Sequence, residues 1–142
     1  MNEQENAVSF FRFEDLRIYS KAIDFTNWLY DVINQFPESQ KDVLGTPFIK
    51  SAQNIALNLA EGSARNKSQF VYYLKMAKSS VRECVVYTEI ASRRYYMNEA
   101  DKDYSRNQLM ELTKMIGSLV ASLQRTVSVS KESDDDSMPD LG

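Results

Sequence analysis

Hydrophobic residues recur every three or four positions through most of this chain, which is the spacing of an amphipathic helix. Glycine and proline are scarce, at four and three residues, so long stretches contain no residue that breaks a helix. The pattern predicts four helices, at about 14–36, 42–61, 67–97 and 99–126. Short connections favour antiparallel neighbours, and we therefore expect an all-α protein folded as an antiparallel up-down-up-down four-helix bundle.

The junction of the second and third predicted helices carries the clearest local signals. Gly62 is expected to end the second helix in the left-handed conformation, which glycine adopts without a steric penalty from Cβ. Asn66 or Ser68 can cap the third helix by accepting a hydrogen bond from its free N–H groups. Asn54 and Asn58 lie one turn apart, and they could form hydrogen bonds between helices or read the edge of a base; the first interpretation is preferred.

The predicted third helix has three faces when its residues are placed at 100° per step. The arc expected to face the core contains Phe70, Tyr73, Leu74, Ala77, Val81, Cys84, Thr88, Ala91 and Tyr95. A basic arc contains Lys67, Lys75, Lys78, Arg82 and Arg93. An outer apolar arc contains Tyr72, Met76, Val86, Tyr87 and Ile90. Since a helix on the surface of a monomer needs only one apolar face, we expect the outer apolar arc to be an oligomer interface.

The basic arc has two interpretations. It is either a solvated face, as any bundle has, or a row of phosphate contacts with Tyr72 nearby for base stacking. Residues 50–94 hold eight basic and three acidic side chains, so the body of the chain is basic although the sequence pI is about 5.0. The acidic pI therefore does not argue against a polyanionic partner.

The two ends of the chain differ in composition from its body. Residues 1–12 are expected to form an N-terminal arm and residues 13–127 the four-helix bundle. Residues 128–142 hold one basic and five acidic side chains and few apolar ones, which predicts a disordered acidic tail that could compete for the basic arc. A single cysteine, Cys84, and the absence of a long apolar run indicate a cytoplasmic protein without a membrane partner.

Little in the sequence could support catalysis. There is no histidine and no glycine-rich phosphate loop, so we expect no catalytic residue, no metal site and no cofactor. Cys84 is interpreted as a buried apolar side chain. Glu61 is either a ligand or acid–base group beside Asn58, or the ion-pair partner of Arg65 or Arg82 at the turn; the second interpretation is preferred.

Several motifs resemble the four-helix bundle protein family, whose members are also called 23S rRNA intervening-sequence proteins and are often labelled ribosomal protein-like. The matching residues are Phe13, Asp15, Leu16, Tyr19 and Ala22, the pair Phe36-Pro37, and the run Asn58-Leu59-Ala60-Glu61-Gly62 with Arg65, Ser68, Phe70, Leu74, Ala77, Ser80 and Glu83. The resemblance implies a homo-oligomeric ring of bundles, a homopentamer with a central channel. It also implies that Asn58, Glu61, Gly62, Arg65, Ser68 and Phe70 are structural signature positions.

The resemblance also bears on function. Genes of the family can lie within insertions in large-subunit rRNA genes, and a related branch resembles the basic accessory proteins of diversity-generating retroelements. This chain departs from that branch in its acidic tail and low pI. We expect a non-enzymatic oligomer that binds RNA or a ribonucleoprotein through the basic arc. The alternative is a protein-interaction scaffold, or a retroelement-accessory-like protein, without direct RNA readout.

Overall fold

The computed structural model describes the backbone of residues 10–134 and the side chains of residues 10–125. Within these residues there are four α-helices and no β-strand, which confirms the all-α, four-helix prediction. The helices are α1 (Arg17–Ile33), α2 (Thr46–Ser63), α3 (Lys67–Arg93) and α4 (Glu99–Asp134). None of the helices in this part of the chain is both long enough and apolar enough to cross a bilayer.

The first two helices begin later than their hydrophobic pattern predicts. A 3₁₀ turn, Arg12–Asp15, precedes α1, and the extended backbone of Leu16 separates the two. A π-helical turn, Lys41–Gly45, leads into α2, with Pro47 in the first turn of α2, where its missing N–H costs nothing. The apolar periodicity continues through the Lys41–Gly45 turn because Leu44 is buried there, whereas the Arg12–Asp15 turn buries no residue.

The last helix continues past its predicted end near residue 126, as far as Asp134. Adding a residue to an existing helix is inexpensive, and no glycine or proline lies between Gly117 and Pro139 to stop it. The predicted acidic tail, 128–142, thus begins within α4. Residues 135–142, and residues 1–9 of the predicted arm, lie outside the described residues, so the predicted domain limits stay predictions.

The core lies where α1 and α3 each pack against both α2 and α4. The largest fully buried side chains include Phe25 and Leu29 of α1, Phe48 of α2 and Leu112 of α4. No buried side-chain nitrogen or oxygen in the described part lacks a hydrogen-bond partner. Burial of this shared apolar face supplies the main driving force of folding.

Gly62 does not have the predicted left-handed conformation. It lies inside α2, which ends at Ser63, and no glycine among the described residues has a positive φ. A Cβ at this position would lie 2.7 Å from Cβ of Tyr73 and 2.9 Å from Cδ1 of Phe70. Glycine is needed here for the close approach of α3, and a one-dimensional pattern cannot distinguish that need from a helix stop.

The end of α3 also differs from the prediction. Tyr95, predicted to face the core, is 93% exposed and has a φ of 62°. The helix ends at Arg93 rather than near residue 97, because the chain reverses through a left-handed residue at Tyr95. That reversal turns Tyr95 outward and lets Tyr96 and Met97 pack inward instead.

Candidate nucleic-acid interface

The basic arc lies along one rigid element, the whole length of α3. Asn66 fixes the start of this helix, because its Oδ1 accepts a hydrogen bond from the Gln69 N–H at 2.9 Å, as predicted for a cap. Lys67, Lys75, Arg82 and Arg93 are exposed and Lys78 is half-buried. Over 27 residues at 1.5 Å per residue, the helix presents these cations over about 40 Å.

Beside the basic arc, α3 and α4 form a shallow groove of about 270 Å³. Its lining consists of Val85, Arg106, Asn107, Leu109, Met110 and Thr113. Val85 falls on the same side of α3 as Lys67 and Lys78 in the helical projection, so the basic arc borders the groove. The exposed Arg106 of α4 adds a cation to this border, and no pattern within α4 could have revealed it because only the packing of α3 against α4 places it there.

One carboxylate interrupts the positive charge of this face. Glu89 accepts a hydrogen bond from Arg93 Nε at 2.8 Å and lies 3.9 Å from Lys102 Nζ. The hydrogen bond from Arg93, and then the charge of Lys102, hold the pKa of Glu89 below its usual range. Arg93 is therefore partly neutralised, whereas Lys67, Lys78 and Arg82 form no salt bridge within the described residues.

The signature positions form a structural cluster where α2 meets α3. Arg65 donates to Glu61 Oε2 through Nε at 2.8 Å, and its guanidinium lies 5.5 Å from the ring centroid of Tyr73. The hydrogen bond to Glu61 raises the pKa of Arg65. Of the two interpretations of Glu61, the structure supports the ion pair, with Arg65 in the connection between α2 and α3. The contact of Arg65 with Tyr73 joins this pair to α3. Phe70 lies against Gly62, and Ser68 is half-buried in the first turn of α3.

The prediction for Asn58 is wrong. Its Nδ2 donates to the carbonyl oxygen of Asn54, one turn earlier in the same helix, at 2.8 Å. Residues four apart on a helix are neighbours, so this local bond competes with a bond to another helix.

The outer apolar arc is exposed along the side of α3 that faces away from α4. The exposed fractions are 37% for Tyr72, 44% for Met76, 56% for Val86 and 41% for Ile90. Tyr87 differs from the others, since it is half-buried and its ring stacks on Phe48 of the same chain at a centroid distance of 5.5 Å. Tyr87 therefore belongs to the packing of α2 against α3, and the remaining four residues form the exposed part of the arc.

Cys84 is fully buried in the core, as the sequence predicts. Burial, with a smaller contribution from the charge of Glu83, raises the pKa of its thiol far above the ordinary range. A thiol in this state is a poor nucleophile. Within the described part of the chain, no group of three or more cysteine, aspartate or glutamate side chains could hold a metal ion.

Comparison with known protein families gives one match that covers most of the helical body. A family model described as 23S rRNA-intervening sequence protein matches residues 14–118, from the turn before α1 into the second half of α4. The matched segment contains the whole basic arc, the groove and the signature cluster. A search of curated protein sequences gives no match.

Proposed function

Because the chain belongs to the 23S rRNA-intervening sequence protein family, we propose that it is a non-enzymatic protein that binds RNA or a ribonucleoprotein associated with ribosomal RNA. The binding surface in this proposal is the basic arc of α3 together with Arg106 of α4. Its place of action is the cytoplasm.

The observation that carries the proposal is the row of cations along α3, which one carboxylate, Glu89, interrupts near the C-terminal end of the helix. Exposed lysines and arginines gain affinity for RNA by displacing the counterions condensed on phosphates, without reading sequence. The arc borders a groove whose lining holds Arg106, Asn107 and Thr113 but no carboxylate. The cations that border the groove suit an anionic ligand such as a phosphate backbone.

We further propose that the four helices form an up-down-up-down bundle that assembles into a homopentameric ring. Contacts support the alternating direction: the end of α2 meets the start of α3 at Gly62 and Phe70, and the end of α3 meets the start of α4 at Thr88 and Ser105. The exposed outer apolar arc supports a contact with a second copy. A ring would repeat the basic arc, so that weak single contacts add through multivalency.

The test is binding of the purified protein to a labelled structured RNA across a salt series. The variant Lys67→Glu/Lys78→Glu/Arg82→Glu reverses three basic-arc residues that have no salt-bridge partner among the described residues. The control variant Arg12→Glu/Arg17→Glu/Lys50→Glu makes the same change in net charge with exposed residues outside α3. We expect the first variant to lose affinity and to show a shallower salt dependence, by about 0.7 to 0.9 in log–log slope for each phosphate that is no longer neutralised.

The control is expected to bind with nearly the wild-type slope. Equal losses of affinity in the two variants would show that net charge, not the basic arc, determines RNA binding. Unchanged binding in both variants would show that the basic arc does not contact RNA.

The competing function is a protein-interaction scaffold without RNA readout. The exposed Tyr72, Met76, Val86 and Ile90 favour it, because tyrosine and methionine are enriched at protein interfaces. A salt-insensitive association with a protein partner, together with no RNA binding near physiological salt, would select this function.

A further inference from the structure

Tyr95 combines an unusual backbone conformation with a highly exposed side chain. It is the one non-glycine residue with a positive φ among the described residues, at 62°, and its side chain is 93% exposed. Left-handed backbone brings Cβ of an L-residue close to the following carbonyl oxygen, so this conformation is destabilising for tyrosine. Glycine is the usual residue at such a position.

The backbone shows why the chain adopts this conformation. The N–H of Tyr96 donates to the carbonyl oxygen of Ala91 at 2.9 Å, and the N–H of Tyr95 donates to that of Ser92 at 3.0 Å. These two hydrogen bonds define the Schellman motif that closes a helix with a left-handed residue. The motif needs the conformation at position 95, but it makes no use of a tyrosine side chain.

The fold does not use the Tyr95 ring either. Among the described residues the ring takes part in no aromatic pair, no cation–π contact and no side-chain hydrogen bond. The neighbouring Tyr96 supplies the packing at this turn, since its ring lies 5.7 Å from that of Phe36. A tyrosine side chain that the fold does not use, held on a strained backbone, is a candidate binding residue.

The surroundings of Tyr95 indicate what it binds. Residues 93–97 contain two arginines and no carboxylate, and Arg93 is the last member of the basic arc. Arg94 is exposed, forms no salt bridge within the described residues, and has its guanidinium 6.0 Å from the Tyr96 ring centroid. An RNA strand that continues past Arg93, the last member of the basic arc, would therefore meet the exposed Tyr95 and, one residue before it in the chain, the exposed Arg94.

We propose that Tyr95 stacks on an unpaired base of RNA while Arg94 contacts an adjacent phosphate. This inference rests on the proposed function and adds a preference to it, because only single-stranded RNA can offer an unpaired base to an aromatic ring. The basic arc supplies affinity for any RNA backbone, and Tyr95 distinguishes single strands from duplexes.

The experiment uses Tyr95→Gly, which removes the ring and the backbone strain together. We expect this variant to unfold at a temperature several degrees higher than the wild type, because glycine adopts positive φ freely. We also expect it to bind a short unstructured RNA roughly tenfold more weakly, since stacking of one base on an aromatic side chain is worth about that factor or more. Binding to a fully paired RNA of the same length should not change.

The variant Tyr95→Phe keeps the ring and the strain, and it should bind both RNAs as the wild type does. Wild-type affinity of Tyr95→Gly for the single strand would overturn the inference, and so would an equal loss of affinity for both RNAs. A change in oligomer mass in Tyr95→Gly would also overturn it, because the ring would then be a subunit contact.

Failure of this inference is distinguishable from failure of the proposed function. If the basic-arc variant loses RNA binding and Tyr95→Gly does not, the inference alone fails. If the wild-type protein binds neither RNA, both fail.

Discussion

The hydroxyl groups of Thr88 in α3 and Ser105 in α4 lie 2.8 Å apart, and both side chains are fully buried. Thr88 Oγ1 also donates to the Cys84 carbonyl oxygen at 2.7 Å, so the proton between the two hydroxyls must come from Ser105. The two buried hydroxyl groups can form this hydrogen bond in only one axial register of α4 relative to α3. The bond therefore fixes the register of α4 on α3, and with it the position of Arg106, the next residue in the chain.

Thr88→Val should destabilise the protein by about 1 to 2 kcal/mol, because the Ser105 hydroxyl loses its partner in the core. Ser105→Ala should cost less, since Thr88 keeps its hydrogen bond to Cys84. Urea unfolding of the two single variants and of Thr88→Val/Ser105→Ala tests the coupling. We expect the double variant to lose clearly less stability than the sum of the single variants; additive changes would show that the pair is not coupled.

Gly62→Ala should destabilise the protein by roughly 1 to 3 kcal/mol, because the new methyl group would overlap Tyr73 and Phe70 and push α3 away from α2. Gly117→Ala is the matched control. Nothing lies within 4 Å of a Cβ at position 117 on the exposed side of α4, so alanine there should stabilise the helix by about 1 kcal/mol. Thermal unfolding measures the unfolding temperature of each variant, which should fall in Gly62→Ala and rise in Gly117→Ala. A change in the same direction in both variants would contradict the role of Gly62 in the close approach of α3.

Ile90→Asp and Met76→Asp should reduce the mass of the oligomer in solution, because each places a charge in the exposed part of the outer apolar arc. Met110→Asp is the control, since Met110 is 49% exposed but lies on α4. Light scattering after size exclusion gives the masses. Tyr87 is unsuitable for this test, because its stacking on Phe48 means that a charge there would also damage the protomer. An unchanged mass in both arc variants would show that the outer apolar arc is not part of a subunit interface.

Stability should fall as the pH rises above about 8.5, the ordinary pKa of a thiol, through the contribution of Cys84. The folded-state pKa of Cys84 is raised by burial, so above that pH the folded protein keeps a proton that the unfolded chain releases. The unfolded state then binds fewer protons, and the free energy of unfolding decreases with pH. Urea unfolding between about pH 7 and pH 10 measures how the free energy of unfolding changes with pH. We expect a smaller decrease in Cys84→Ala than in the wild type, and an equal decrease in the two proteins would contradict this role of Cys84.

The hydrophobic pattern was sufficient for the number and approximate positions of the helices and for most of the core, but not for the helix ends. Leu74, Ala77, Val81, Cys84 and Ala91 are buried as their spacing predicts, because each lies on the face of α3 that packs against the core. The cap at Asn66 and the pair Glu61–Arg65 were each one of two alternatives that the sequence offered, and the structure selected them over Ser68 and Arg82.

By itself, then, the sequence determined the elements of this protein: four helices, most of their buried faces and the row of cations along α3. Only the tertiary structure decided the roles of Gly62, Tyr95, Tyr87 and Arg106. Gly62 is required by the close approach of α3, and the conformation of Tyr95 is required by the turn that connects α3 and α4. The burial of Tyr87 depends on its contact with Phe48, and the position of Arg106 depends on the register of α4 on α3. Each role depends on atoms brought close by packing, and periodicity along one chain contains no information about those distances.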